Sequence, residues 1–281
     1  MSTQSRQPAM PDLRVVPVAH LLLHEQHDAQ RSEPLAQRLL ADAVLRNPPI
    51  VAPIDGQERF VVLDGANRVT AVQALGLPHI AVQVVDYGDA ELVLDTWHHL
   101  VSGIAREQFQ RLLQALPGMT LEPATLLHAR AQLARRAVLA FVVYADGGAF
   151  TLRADGDLHR RTALLNDVVD LYKSRGAIFR VNTDRLDQLL PYHEDATVLV
   201  VFPRYDPAEI LDLARVGARL PAGITRHLIP RRALRINCPV SLLRDDRSLE
   251  AKNAWLGGWM KDRLAAKQAR FYQESTFLFD E

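Results

Sequence analysis

Residues 60–76, FVVLDGANRVTAVQALG, constrain this chain more than any other stretch, because they compress a strand, a sharp turn and a helix into one segment. The apolar β-type run FVVL ends at Asp64-Gly65. Val69, Val72, Gln73 and Leu75 then follow at helical spacing until Gly76 supplies a stop. A helix that starts just past Asp64-Gly65 leaves backbone N–H groups unpaired at the turn, and its macrodipole favours an anion there. Arg68, in the first turn, adds a forked cation matched to phosphate oxygens. The turn has no P-loop or dinucleotide-binding glycine pattern, so from these residues alone a strand-turn-helix with a capping aspartate is the simpler account.

A chain of 281 residues suits one large or two modest domains with ample core. Its 33 basic and 33 acidic side chains cancel, which leaves no overall electrostatic footprint for nucleic acid. The single cysteine, Cys238, excludes an internal disulfide framework and suits a reducing compartment. Residues 1–12 are polar and read as a disordered leader, no apolar run approaches ~20 residues, and a cytoplasmic protein without membrane span or signal peptide is expected.

Along the chain, an extended segment at residues 13–18 precedes the pair His24-Glu25, and residues 33–44 form an amphipathic helix closed by Asn47-Pro48-Pro49. Strands are expected at 50–54, 60–63 and 78–86, and a further one at 91–99, ELVLDTWHH, from its alternation. Helices at 104–116 and 124–135 lead to a hairpin at 137–144 and 149–153. Helix and strand then alternate, with helices at 162–173, 184–190 and 207–216 and strands at 177–181 and 198–202, which implies a second α/β layer. The strand at 224–229 carries Thr225, Arg226 and His227 in succession, and residues 231–240 are polar and extended. A last helical stretch, 248–271, is expected to break or bend at Gly257-Gly258, with Trp255 and Trp259 covering a core or the seam of a homodimer.

HEQHDAQR around Glu25, LRNPPIV at 45–51, VVLDGANR at 61–68 and Leu75-Gly76 together resemble the ParB/sulfiredoxin-like superfamily, and within it the free L-serine kinases. Asp95-Thr96-Trp97 after Asp86-Tyr87, and the late Ile224-Thr225-Arg226-His227, resemble blocks of those kinases, and the terminal RFYQESTFLFDE resembles their bacterial, siderophore-locus branch. The resemblance implies an α/β (α+β) fold: a leader at 1–12, a ParB/sulfiredoxin-like domain at 13–104, a second α/β lobe at 105–222, and a return segment with a C-terminal helix at 223–281. It implies transfer of a phosphoryl group to the hydroxyl of free L-serine, giving O-phospho-L-serine, with Mg2+ and with ATP, or else ADP, as donor. By the same resemblance Glu25 and Asp64 are catalytic, and Asp64, Gly65, Ala66, Asn67 and Arg68 hold the donor phosphates. Trp97, Thr225, Arg226 and His227 hold the amino acid and phosphate, and Asp64 is the one protein group offered to the metal. Archaeal members carry two histidines where this chain has Ala66 and Asn67; Asn67 can still donate a neutral hydrogen bond to phosphate.

Three other readings compete. A ParB-like DNA-binding regulator, or a non-catalytic nucleotide binder, would share the domain; the candidate basic patch for DNA is Arg130, Arg135 and Arg136. Sulfiredoxin chemistry requires a cysteine in the phosphate turn, where position 66 is alanine. Cys238 reads instead as a small buried hydrophobe. His24, His27, His98 and His99 lie near the motifs without metal-ligand spacing, so His24 and His98 read as groups that orient neighbours.

Overall fold

The computed structural model describes residues 10–56 and 58–271. The chain is mixed α/β and divides into two compact units, both discontinuous: one holds residues up to 21, Asp28–Glu91 and everything from Ile229, the other Leu22–His27 and Leu92–Leu228.

In the first unit, β1 (Asp12–Pro17) leads through a single 3-10 turn to β2 (Leu21–Leu23), where the chain crosses into the second unit. It returns as α1 (Ala29–Asp42), β3 (Val44–Leu45), β4 (Ile50–Ile54), β5 (Arg59–Asp64), α2 (Ala66–Ala74) and β6 (His79–Val84). Within this unit the strands lie in the order β1-β6-β4-β5. β1 pairs antiparallel with β6, from Asp12 opposite Val84 to Pro17 opposite His79, and β4 pairs antiparallel with β5 and parallel with β6. Val51, Ala52, Val61, Ile80, Ala81 and Val82 from these strands, with Val69 and Val72 of α2, are almost fully buried and form its core. The first helix starts earlier than its periodicity suggests, because the Asp28 side chain caps it by accepting from Gln30 N–H at 3.2 Å. It also ends earlier, at Ala43 in the left-handed region, so residue 44 is strand and Asn47-Pro48-Pro49 is not the helix stop.

The second unit contains β7 (Val93–Thr96), β8 (His98–Ser102), α3 (Arg106–Gln114), β9 (Thr120–Ala124), α4 (Leu126–Ala134), β10 (Ala140–Tyr144), β11 (Ala149–Arg153), α5 (Leu158–Lys173), β12 (Ala177–Val181), α6 (Leu186–Leu189), β13 (Ala196–Val201), α7 (Pro207–Val216) and β14 (Thr225–Leu228). Six strands form one sheet in the order β12-β8-β13-β10-β11-β9, and among the described residues β7 pairs only with β14. The expected strand at 91–99 is therefore two strands. The chain leaves the β7–β14 ribbon at Trp97 and enters the large sheet as β8, which an alternation pattern alone does not reveal. β10 is buried along its whole length between β13 and β11, and so reads as a continuous apolar run, not an alternating one. Phe141, Leu199 and Leu100 pack with Ala129 and Leu133 of α4 into its core.

Back in the first unit, β15 (Cys238–Pro239) pairs with β3, and α8 (Val240–Arg244) and α9 (Leu249–Ala265) close the described chain. The helix α9 runs unbroken through Gly257-Gly258, contrary to the expected break, and stops at Ala265. The Asn253 side chain accepts from Val15 N–H at 2.8 Å and donates to Val15 C=O at 2.9 Å, which ties α9 to the edge strand β1. None of the described helices is long and apolar enough to cross a membrane. Residues 1–9 of the expected leader, and most of the terminal RFYQESTFLFDE, lie outside the described residues.

Candidate functional site

The phosphate-turn candidate lies in the first unit. β5 ends at Asp64, Gly65 turns the chain at φ 99°, and α2 begins at Ala66 with no side chain capping it. A β-carbon on Gly65 would lie 3.1 Å from both Cα and Cβ of Pro49, so this position needs glycine for its backbone angle and for the close approach. Arg68 reaches back under the turn: Nη1 donates to the carbonyls of Asn47 and Pro48, each at 3.1 Å, and Nη2 to Asp64 Oδ2 at 3.1 Å. The expected free phosphate fork is thus partly engaged in holding the turn onto the Asn47-Pro48-Pro49 segment. Arg232 also ion-pairs with Asp64 Oδ2. Asn67 Oδ1 accepts the Asp28 N–H at 2.8 Å, which couples the start of α1 to the turn and leaves the Asn67 N–H2 as its donor end. Arg232 was not a sequence candidate; its only signal is a pair of arginines, Arg231-Arg232, in an otherwise irregular return segment.

Glu25 belongs to the second unit. Its backbone bridges to Leu220, with Gln26 N–H donating to Leu220 C=O and Leu220 N–H to His24 C=O, each at 2.8 Å. Its carboxylate takes three donors: Thr225 N–H and Thr225 Oγ1–H on Oε1, both at 2.6 Å, and Gly223 N–H on Oε2 at 2.9 Å. The Thr225 amide is free for this because Trp97 N–H takes the Ile224 carbonyl at 2.8 Å, so the next amide along β14 points away from β7. His24 Nε2 lies 2.9 Å from Thr225 Oγ1, and the His24 and His227 rings meet edge to face at 5.6 Å.

Thr225, Arg226 and His227 do not form one group. The ladder sets Thr225 opposite Thr96, Arg226 opposite Asp95 and His227 opposite Leu94, so Arg226 and Asp95 share the face opposite to Thr225 and His227. On that face the Arg226 guanidinium stacks 4.3 Å from the Trp97 ring centroid, a cation–π contact. Asp95 lies between two cations, Arg226 at 3.7 Å and Arg204 at 3.5 Å. The structure therefore joins Glu25 with Thr225, and Trp97 with Arg226. It adds Asp95, which the sequence shows only as the residue beside Thr96-Trp97.

The competing readings lose their residues to local structure. Arg130 forks onto Asp184 at 2.6 and 3.0 Å, and Arg136 onto Glu209 at 2.9 and 2.6 Å, so those two arginines of the supposed basic patch are already neutralised. Cys238 is buried and its thiol is pushed up to about 12 by burial, the reverse of a reactive cysteine. His98 and His99 sit inside the large sheet. Burial lowers them to about 4 and about 3, His98 Nδ1 accepts Phe202 N–H at 3.2 Å, and His99 Nδ1 pairs with Tyr172 Oη at 2.8 Å.

No family model matches the chain. It is 27% identical over 273 residues to the ATP-dependent L-serine kinase SbnI of Staphylococcus aureus, covering 96% of this chain and 97% of that protein. It is 23% identical over 242 residues to an ATP-dependent L-serine kinase of Staphylothermus marinus, covering 82% of this chain and 94% of that one. Among solved structures, C-terminally truncated SbnI from Staphylococcus aureus superposes with a TM-score of 0.69 at 25% identity, over 90% of this chain and 97% of its own. A free serine kinase in complex with AMP superposes with a TM-score of 0.72 at 16% identity, over 86% and 98%, and at that identity speaks for the fold alone. In sequence and in fold, over nearly its whole length, this chain is similar to free L-serine kinases.

Proposed function

We propose that this protein phosphorylates free L-serine, using ATP and giving O-phospho-L-serine. The observation that carries the reading is the fixation of Glu25. With Oε1 accepting two hydrogen bonds and Oε2 one, the carboxylate is oriented and Oε2 keeps the lone pair able to take a proton. Serine Oγ forms its bond to the terminal phosphorus as the bridging P–O bond to the nucleotide breaks, and the hydroxyl proton passes to Glu25 Oε2. The amides at the start of α2 and the N–H2 of Asn67 face the donor phosphates, with Arg68 holding the turn in shape. Trp97 and Arg226 hold the acceptor, the guanidinium matching its α-carboxylate.

Mg2+ needs only one or two protein carboxylates, since phosphates and water complete its shell. Asp64, with its side chain about a third exposed at 36%, fits that requirement and would hold the ion, which when bound neutralises phosphate charge. ATP is the donor because the two relatives above are both ATP-dependent by name. The reaction belongs in the cytoplasm, where free serine and nucleotide are at hand. Incubation of the purified protein with Mg2+, L-serine and either ATP or ADP, scored for O-phosphoserine, tests the reading. Product with ATP supports it, product with ADP alone reassigns the donor, and folded protein that makes none with either refutes it.

A further inference from the structure

Asp95 and Arg226 are cross-strand neighbours on one face of the β7–β14 ribbon, and both side chains are largely buried, 19% and 26% exposed. Opposite charges placed directly across an antiparallel pair ordinarily close into a hydrogen-bonded ion pair. These do not. The nearest charged atoms of the two side chains are 3.7 Å apart, the second cation at Asp95, Arg204, stands at 3.5 Å with its side chain 76% exposed, and among the described residues neither the Asp95 nor the Arg226 side chain makes a hydrogen bond. The guanidinium is held by its stacking on Trp97 and not by donors, so its N–H groups are unspent. The face thus presents a carboxylate and a guanidinium side by side against an aromatic wall, each sheltered from water and each with its hydrogen-bonding capacity intact.

That pattern is the complement of a zwitterion. An α-amino acid carries an ammonium and a carboxylate on one carbon, about the separation at which Asp95 and Arg226 stand. We infer that Asp95 receives the α-ammonium of the acceptor while Arg226 receives its α-carboxylate, which makes Asp95 the residue that selects amino acids over hydroxy acids. The inference rests on the serine-kinase reading. It extends that reading because a hydroxyl, a carboxylate and a phosphoryl acceptor alone would admit any β-hydroxy acid. A buried group that pairs with a substrate charge discriminates strongly, since the analogue lacking that charge leaves the group desolvated and unpaired.

Two measurements separate this from the parent reading: turnover of L-serine and of 3-hydroxypropionate, which lacks the ammonium, and calorimetric binding of L-serine, each with wild type and with Asp95→Asn. The expected result is that the preference for L-serine over 3-hydroxypropionate, as a ratio of kcat/KM, falls about tenfold or more in Asp95→Asn, and that L-serine binding weakens in parallel. Equal losses on both substrates would reduce Asp95 to a prop for Arg226 and overturn the assignment, as would an unchanged preference. Asp95-dependent binding of L-serine without any O-phosphoserine would keep the assignment and sink the kinase reading instead. A wild type that neither binds nor phosphorylates L-serine overturns both. If Asp95→Asn fails to fold, wild type that binds 3-hydroxypropionate as tightly as L-serine overturns the assignment from the substrate side.

Discussion

At the residue scale, the two positions that matter most answer to different physics. Glu25 is held by hydrogen bonds from Gly223 and Thr225, so Glu25→Gln keeps the size of the side chain but removes the proton acceptor and leaves one of those amides without a carboxylate oxygen. A fall in kcat of roughly 100- to 10,000-fold is expected with the fold retained, checked by steady-state kinetics beside circular dichroism. Gly65 is a backbone position. With φ at 99° and Pro49 at 3.1 Å from any added β-carbon, Gly65→Ala strains the chain and displaces the turn, at a cost of about 1–3 kcal/mol in unfolding free energy by urea titration. Gly56, at φ 92° but with open space around its β position, is the contrasting control: only the backbone penalty applies there, so the loss should be smaller.

At the scale of elements, β8 carries an uncommon load for an inner strand, His98-His99 with both rings buried. Burial lowers His98 to about 4, partly offset by Asp184 and Asp95, and lowers His99 to about 3, with Arg180 and His98 adding to the effect. The unfolded chain takes up a proton at each near pH 6.5, while the folded chain refuses it until pH 3 to 4. Stability from this pair is therefore complete above pH 6.5 and drains away as pH falls toward 4, at about 1.4 kcal/mol per pH unit for each histidine. Denaturant midpoints at pH 7, 6 and 5 should decline in that order, and His99→Phe should flatten the decline. No such slope in wild type would mean that the rings accept protons within the folded sheet.

For the molecule as a whole, L-serine and Mg-ATP should act as ligands of the native state alone. At 100 times the dissociation constant each adds about 2.7 kcal/mol, visible as a rise in Tm by scanning fluorimetry, and Glu25→Gln should retain the response to nucleotide. The mixed α/β class, the hairpin at β10–β11, α7 and the strand-turn-helix around Asp64 were legible in the sequence, because each follows from local periodicity and turn chemistry. The division of residues 91–99 into two strands and the unbroken α9 were not, since neighbours in space overrode the local signal: Ile224 draws the Trp97 amide to β14, and packing outweighs the low helix propensity of two glycines. The sequence by itself determined which chemistry is carried, as acids, guanidiniums and an aromatic in recognisable blocks. Only the tertiary structure decided which of them meet. Antiparallel register put Arg226 beside Asp95 and apart from Thr225 and His227, and a side-chain period of two along a strand makes that outcome depend on a pairing register written nowhere in the local sequence.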